Sequence, residues 1–132
     1  MRTLLAIALA CAPAACGGEA SPPTIAGQRE LAKREWQRVA LRDLRTQSCS
    51  EGGFFRRCSD TNRDECERTI AAALRECIDT NDARYPDTIE AGDEDERLRE
   101  QLRGCMWHHA AFALGPARVD MACLLTPRAR GG

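Results

Sequence analysis

The chain has few of the residues that build a large interior. It holds three Phe, two Trp and one Tyr in 132 residues, and Lys33 is its single lysine. At this length a large multi-domain enzyme is excluded, since one domain usually takes about 100 to 200 residues. Neither sign of charge dominates: 19 basic residues face 20 acidic ones, net -1. That balance argues against a polybasic nucleic-acid binder. There is no phosphate-binding glycine loop, no nucleophile elbow and no HExxH in the sequence, so none of those routes to catalysis is available. The one apolar run, residues 3–10, falls well short of the roughly 20 residues a membrane-spanning helix needs. Hydrophobic residues reach 43%, but 21 of them are Ala and 8 are Cys.

Eight cysteines in so short a chain point to an oxidising compartment, and the N-terminus agrees. Residues 1–16 read MRTLLAIALACAPAAC, with Arg2 as a short positive region, then an apolar stretch, then small residues. That is the layout of a secretory signal peptide. Its end, Pro13-Ala14-Ala15-Cys16 followed by Gly17-Gly18-Glu19, resembles the lipobox of bacterial lipoproteins, in which the Cys becomes the lipidated first residue. Pro13 stands where that family usually carries Leu. Ala8-Leu9-Ala10-Cys11 is a looser fit. Cysteine parity favours Cys16 as the acylated residue. With Cys11 removed, Cys49, Cys58, Cys66, Cys77, Cys105 and Cys123 remain, an even set able to close three disulfides. The resemblance implies a signal peptide over 1–15 and a lipid anchor in the membrane.

Residues 17–28, GGEASPPTIAGQ, have linker composition, so residues 16–28 read as a lipid-anchored tether. A helical domain then spans 29–126, and residues 127–132 read as a frayed tail. The expected fold class is all-α: a small domain of three to four helices cross-linked by about three disulfides. Helical spacing begins near Gln28 and brings Ala32, Trp36, Val39, Ala40 and Leu44 onto one face. Residues 48–61 read as a loop. Asn62 caps the next helix with Glu65 as its capping-box partner, and Cys66, Ile70, Ala73, Leu74 and Cys77 form its apolar face. A connection containing Pro86 and Gly92 leads to the acidic start of a third helix, Asp93 to Glu96, which suits the positive end of the helix dipole. Leu98, Leu102, Cys105, Met106, His109 and Ala113 carry the face onward to Gly115-Pro116, and a short helix from about Ala117 to Leu125 carries Cys123. No alternating run suggests a sheet.

Cys66 and Cys77 lie about 16 Å apart along one helix, too far to bond to each other. If the second and third helices form a hairpin turning at residue 86, Cys66 and Cys105 stand at matching heights, and Cys66–Cys105 is the favoured pair. The partner of Cys77 stays open between Cys123 and the 49–58 loop. After the signal, Val, Ile, Leu, Met, Phe, Trp and Tyr account for 23 of 117 residues, a thin core of the kind that cross-links commonly supplement. The layout C-x4-F-x3-C-x7-C-x10-C also resembles short, exported, cysteine-rich bacterial proteins, which implies a disulfide-braced helical module and no particular chemistry.

Cys105, His108 and His109 form C-x2-H-H, the weak metal candidates. Zinc motifs carry Cys pairs two to four residues apart, and the spacings here of 9, 8, 11, 28 and 18 contain none. His109 therefore reads as a hydrogen-bonded core histidine and His108 as exposed. Asp60-x-Asn62-x-Asp64 begins like a calcium loop, but Glu65 replaces the Gly and Ala71 the final Glu. No cofactor is expected. Residues 29–58 carry net +4 and residues 59–100 net -8. Pairing within the fold accounts for this, with a basic helix resting on anionic headgroups as the functional alternative. The sequence points to a non-catalytic binding or structural accessory of the bacterial envelope, held by its lipid and meeting a protein partner. The alternatives are a small enzyme or metal-binding protein using His108 and His109, and a secreted soluble protein with ordinary signal cleavage.

Overall fold

The computed structural model describes residues 30–126, so the signal peptide expected over 1–15, the tether expected over 16–28 with Cys16, and the tail expected over 127–132 lie outside the described residues. The elements run β1 (Glu30–Ala32), α1 (Lys33–Cys49), α2 (Phe54–Arg57), α3 (Arg63–Asn81), a 3-10 turn (Asp82–Arg84), β2 (Thr88–Glu90), α4 (Asp93–Leu114) and α5 (Met121–Leu125). The domain is helical, with three long helices and two short ones.

The face marked by spacing is buried throughout α3 and along most of α1. On α4 only Leu98, Leu102 and Met106 of the expected positions are buried, while Cys105 and His109 are half-buried and Ala113 is exposed. Trp36, Val39, Ala40 and Leu44 are buried on α1, and Cys66, Ile70, Ala73, Leu74 and Cys77 on α3. On α4 the buried set is Leu98, Leu102, Met106, Ala110 and Ala111. These side chains merge into one core that also takes in Leu31, Phe55, Tyr85, Ile89, Val119 and Leu124. The helix ends follow from local chemistry. Asn62 Oδ1 accepts from the Glu65 backbone N–H at 2.9 Å, fixing the start of α3. The Glu65 carboxylate does not complete a capping box; Arg118 takes it in a two-pronged ion pair at 2.7 and 2.9 Å. Gly115, at φ 83°, closes α4 in the left-handed region that favours glycine.

The last helix starts at Met121, capped by Asp120, and not near Ala117, and three larger features depart from the sequence expectations. Residues 30–32 begin no helix. They pair antiparallel with residues 88–90 in a two-stranded ribbon, with Leu31 opposite Ile89 and both buried, and α1 starts at Lys33. The 48–61 segment holds the single turn of α2, which places Phe55 fully in the core. Gly53 makes that turn possible: a Cβ there would stand 2.5 Å from the Ser48 carbonyl oxygen.

The third departure is the disulfide framework. The six cysteines close as Cys49–Cys66, Cys58–Cys123 and Cys77–Cys105. The favoured Cys66–Cys105 pair is not formed. Its premise was a hairpin turning at residue 86, whereas residues 82–92 run outward to pair with β1 before the chain reverses. Cys77 lies four residues before the end of α3 and Cys105 twelve after the start of α4. At 1.5 Å per residue, α4 therefore begins about 12 Å beyond the end of α3. That offset brings Cys105 level with Cys77, while Cys66 meets Cys49 at the end of α1. Cys77 bonds neither Cys123 nor the 49–58 loop, the two partners left open for it.

Candidate functional site

Chemically distinctive side chains converge at two places. The first is where α3 faces α4. Cys105 and His109 are four residues apart on α4, which places them on one side of the helix, and Cys77 faces them from α3. A ligand atom from each of Cys77, Cys105 and His109 lies within 4.8 Å of the other two. The Cys77–Cys105 disulfide ties the helices there, with Cα atoms 6.1 Å apart. Glu76 adds a carboxylate: its Oε2 is 3.3 Å from His109 Nδ1, an ion pair when the imidazole is protonated. Cys77 is fully buried and Cys105 half-buried. The His109 side chain is 37% exposed, so it is a rim residue and not the core histidine its spacing suggested. It opens onto a shallow cleft of about 320 Å³ shared with Arg68, Ala73 and Ala113.

Of the sequence candidates, Cys105 and His109 come together and His108 does not. His108 is exposed, one residue and about 100° around α4 from His109. Cys77 takes its place in the cluster. The sequence signal that could have identified Cys77 is the shared apolar face of α3, but only the axial offset of α4 shows which turn of α3 meets Cys105. With its disulfide closed, the cluster offers one imidazole and one carboxylate, a set suited to hydrogen bonding and short of a metal site.

The second place is a groove of about 690 Å³ between α2, α4 and α5, lined by Phe54, Glu100, Arg103, Trp107, Leu124 and Leu125 among others. The Phe54 and Trp107 rings stack at 4.9 Å with a 39° tilt, within the range of a favourable aromatic pair. Trp107 Nε1 is buried with no hydrogen-bond partner. A buried donor left unmet costs about 1 to 3 kcal/mol. Leu125 on the groove wall is 75% exposed, and Phe112 on α4 is 86% exposed. Sequence spacing did not single out this groove, because α2 and α5 are too short to show periodicity.

Many charges pair within the fold, but mostly inside their own segment. Among the ion pairs of the described residues, only Lys33–Asp82 joins a basic residue of 29–58 to an acidic residue of 59–100. Lys33 meets Asp82 at 3.1 Å, Arg42 meets Asp43 at 2.9 Å, and Arg38 meets Glu35. A longer chain of contacts joins α1 to α4. The Trp36 indole N–H donates to Asp95 at 2.6 Å, Arg99 bridges Asp95 and Asp43, and both Asp95 and Arg99 are largely buried. Hydrogen bonds from arginine hold the carboxyls of Glu35, Glu65 and Glu67 below the usual glutamate range, their partners being Arg38, Arg118 and Arg63. Asp82 is lowered first by Gln37 and then by Lys33.

Three closed pairs among the six described cysteines place the domain in an oxidising, extracytoplasmic environment. No helix among the described residues is long and apolar enough to cross a membrane. Compared with known protein families, with curated proteins and with solved structures, the chain matches none.

Proposed function

We propose that this chain is an envelope lipoprotein: a helical accessory domain tethered through acylated Cys16 that engages a protein partner without performing catalysis. The observation that carries this reading is the closure of the domain's cysteines. All six pair among themselves, so neither Cys11 nor Cys16 is required by the fold. Cys16, behind its small-residue signature, is left for modification.

The groove of Phe54, Trp107 and Leu125 supports the binding part of the reading. It combines the exposed Leu125 with an aromatic pair, and aromatic residues are enriched at protein interfaces. The decisive experiment is intact-mass analysis of the protein extracted from membranes. A triacylated N-terminus beginning at Cys16, lost in Cys16→Ser, is the expected result. A soluble product bearing no lipid overturns the anchor. Quantitative crosslinking in intact cells then tests the groove: Trp107→Ala should abolish the adducts that wild type forms, and an unchanged adduct pattern rejects it.

A further inference from the structure

We propose that Cys77, Cys105 and His109 form a redox-gated site for a thiophilic divalent cation of the zinc class, closed while the disulfide stands and opened by its reduction. This goes beyond the tethering reading and does not depend on it. Two thiolates and an imidazole are a favoured donor set for such a cation, and here the three ligand atoms already lie within 4.8 Å of one another. Opening the disulfide removes one covalent bond without removing what holds the donors together. α3 and α4 share the largest helix–helix interface of the domain, with Ile70 and Leu74 on one side and Leu102 and Met106 on the other, all fully buried or nearly so. Cys105 and His109 remain one helical turn apart on the same element whatever the state of the sulfur.

The surroundings have the form of a supported metal site. Glu76 stands 3.3 Å from His109 Nδ1, the carboxylate–histidine arrangement that orients an imidazole and raises its basicity as a ligand. That leaves Nε2 as the ring's coordinating atom and a fourth position for water. The half-buried Cys105 and the exposed rim at His109 give a reductant and an ion access. Cys49 and Cys66, by contrast, are both fully buried and have no histidine in their cluster.

The chemistry balances with a dithiol as reductant. Its thiolate attacks one sulfur of the Cys77–Cys105 bond and its second thiol resolves the mixed disulfide. Two electrons thus pass to Cys77 and Cys105, two thiols form, and the reductant leaves as its own disulfide. Binding of the cation then releases the two thiol protons to solvent. In an oxidising compartment the site is closed, and it opens where a dithiol reductant reaches the domain.

Cobalt(II) is the probe, because thiolate ligation produces a charge-transfer band. The purified protein is reduced anaerobically with a phosphine, the phosphine is removed, and cobalt is titrated. One equivalent should bind with a thiolate charge-transfer band and unchanged helical circular dichroism, and the oxidised protein should show no band. Glu76→Gln should weaken binding about 10- to 100-fold. The double variant Cys77→Ser/Cys105→Ser, treated identically, should give no band. The same titration on a Cys58→Ser/Cys123→Ser variant isolates the pair, since the remaining Cys49–Cys66 bond is fully buried, and its band should match that of the wild type. The proposal is overturned if reduced wild type gives no band, if the band survives in Cys77→Ser/Cys105→Ser, or if helical signal collapses on reduction in both wild type and the Cys58→Ser/Cys123→Ser variant.

Discussion

Replacing Cys58 and Cys123 together by Ala tests how the C-terminal segment is held. The two are 65 residues apart in sequence, the widest separation of the three disulfides. Chain entropy alone assigns that bond about 4.3 kcal/mol, against about 3.6 for Cys77–Cys105 and about 3.1 for Cys49–Cys66. What else fixes residues 117–126 is modest. Val119 and Leu124 are buried, 6% and 7% exposed, contributing about 1.5 to 3 kcal/mol each. The backbone of the segment exchanges two 2.8 Å hydrogen bonds with Cys58 and Asp60, and Arg118 grips Glu65. Ordering ten residues costs on the order of 10 kcal/mol or more, which exceeds that apolar gain. Without the bond the segment should therefore detach while α1, α3 and α4 stay assembled. Detachment limits the loss of global stability to less than about 4.3 kcal/mol and lowers the urea m-value, because less surface is left to expose on unfolding. Hydrogen exchange should show fast amides at 117–126 and protected amides across the three long helices. An unchanged m-value with 117–126 as protected as in wild type would refute the reasoning.

Other substitutions probe the core and the surface charges. Gly53→Ala forces a Cβ onto the Ser48 carbonyl and should cost about 1 to 3 kcal/mol, read as a shift of the urea midpoint; a neutral effect would mean that the turn before α2 yields freely. Ile70→Ala opens a cavity at a fully buried position and should cost about 2 to 5 kcal/mol in the same assay. Glu35, Glu65, Glu67 and Asp82 have depressed folded pKa values. Their contribution is present in full above the ordinary carboxylate range of about 4 and is lost as pH falls through the lower folded values. Thermal midpoints should drop below about pH 4, less steeply in high salt because the pairs are exposed; a flat profile from pH 5 to 2 would contradict this. Tyr85 is raised, chiefly by burial and secondarily by Asp82, so its phenolate absorbance should appear only above the free-tyrosine range of about 10. An ordinary titration there would show that the ring is more solvated than its 8% exposure indicates.

Sequence reasoning read the long elements well because their signals are local and repeated. Asn62 caps α3, and all five apolar positions assigned to its face are buried. Leu98, Leu102 and Met106 behave the same way on α4. Non-local geometry was illegible. Each strand of the β1–β2 ribbon buries a single residue, Leu31 or Ile89, between exposed neighbours, too short an alternation to register as a pattern. Because that ribbon draws residues 82–92 outward, it also sets the offset of α4 and hence which cysteine meets Cys105. The candidate cluster was half visible for the same reason: Cys105 and His109 belong to one helix, while Cys77 arrives through tertiary packing. His109 fell at the rim because the apolar stripe of α4 turns toward Ala110 and Ala111.

The order in which the disulfides enclose the chain has a consequence for a domain exposed to proteases. The Cys49–Cys66 loop overlaps the Cys58–Cys123 loop, and Cys77–Cys105 nests inside the latter. Every peptide bond from residue 49 to residue 123 therefore lies within at least one covalent ring. A single cut anywhere in that interval, including the exposed turns at 51–52 and 116–117, opens a ring without releasing a fragment. The nicked protein keeps both ends, its core and its connection to whatever holds residue 30 and the chain before it. Release of a fragment by one cut needs a site before Cys49 or after Cys123, and of the described residues before that first point, 33–49 are continuous helix.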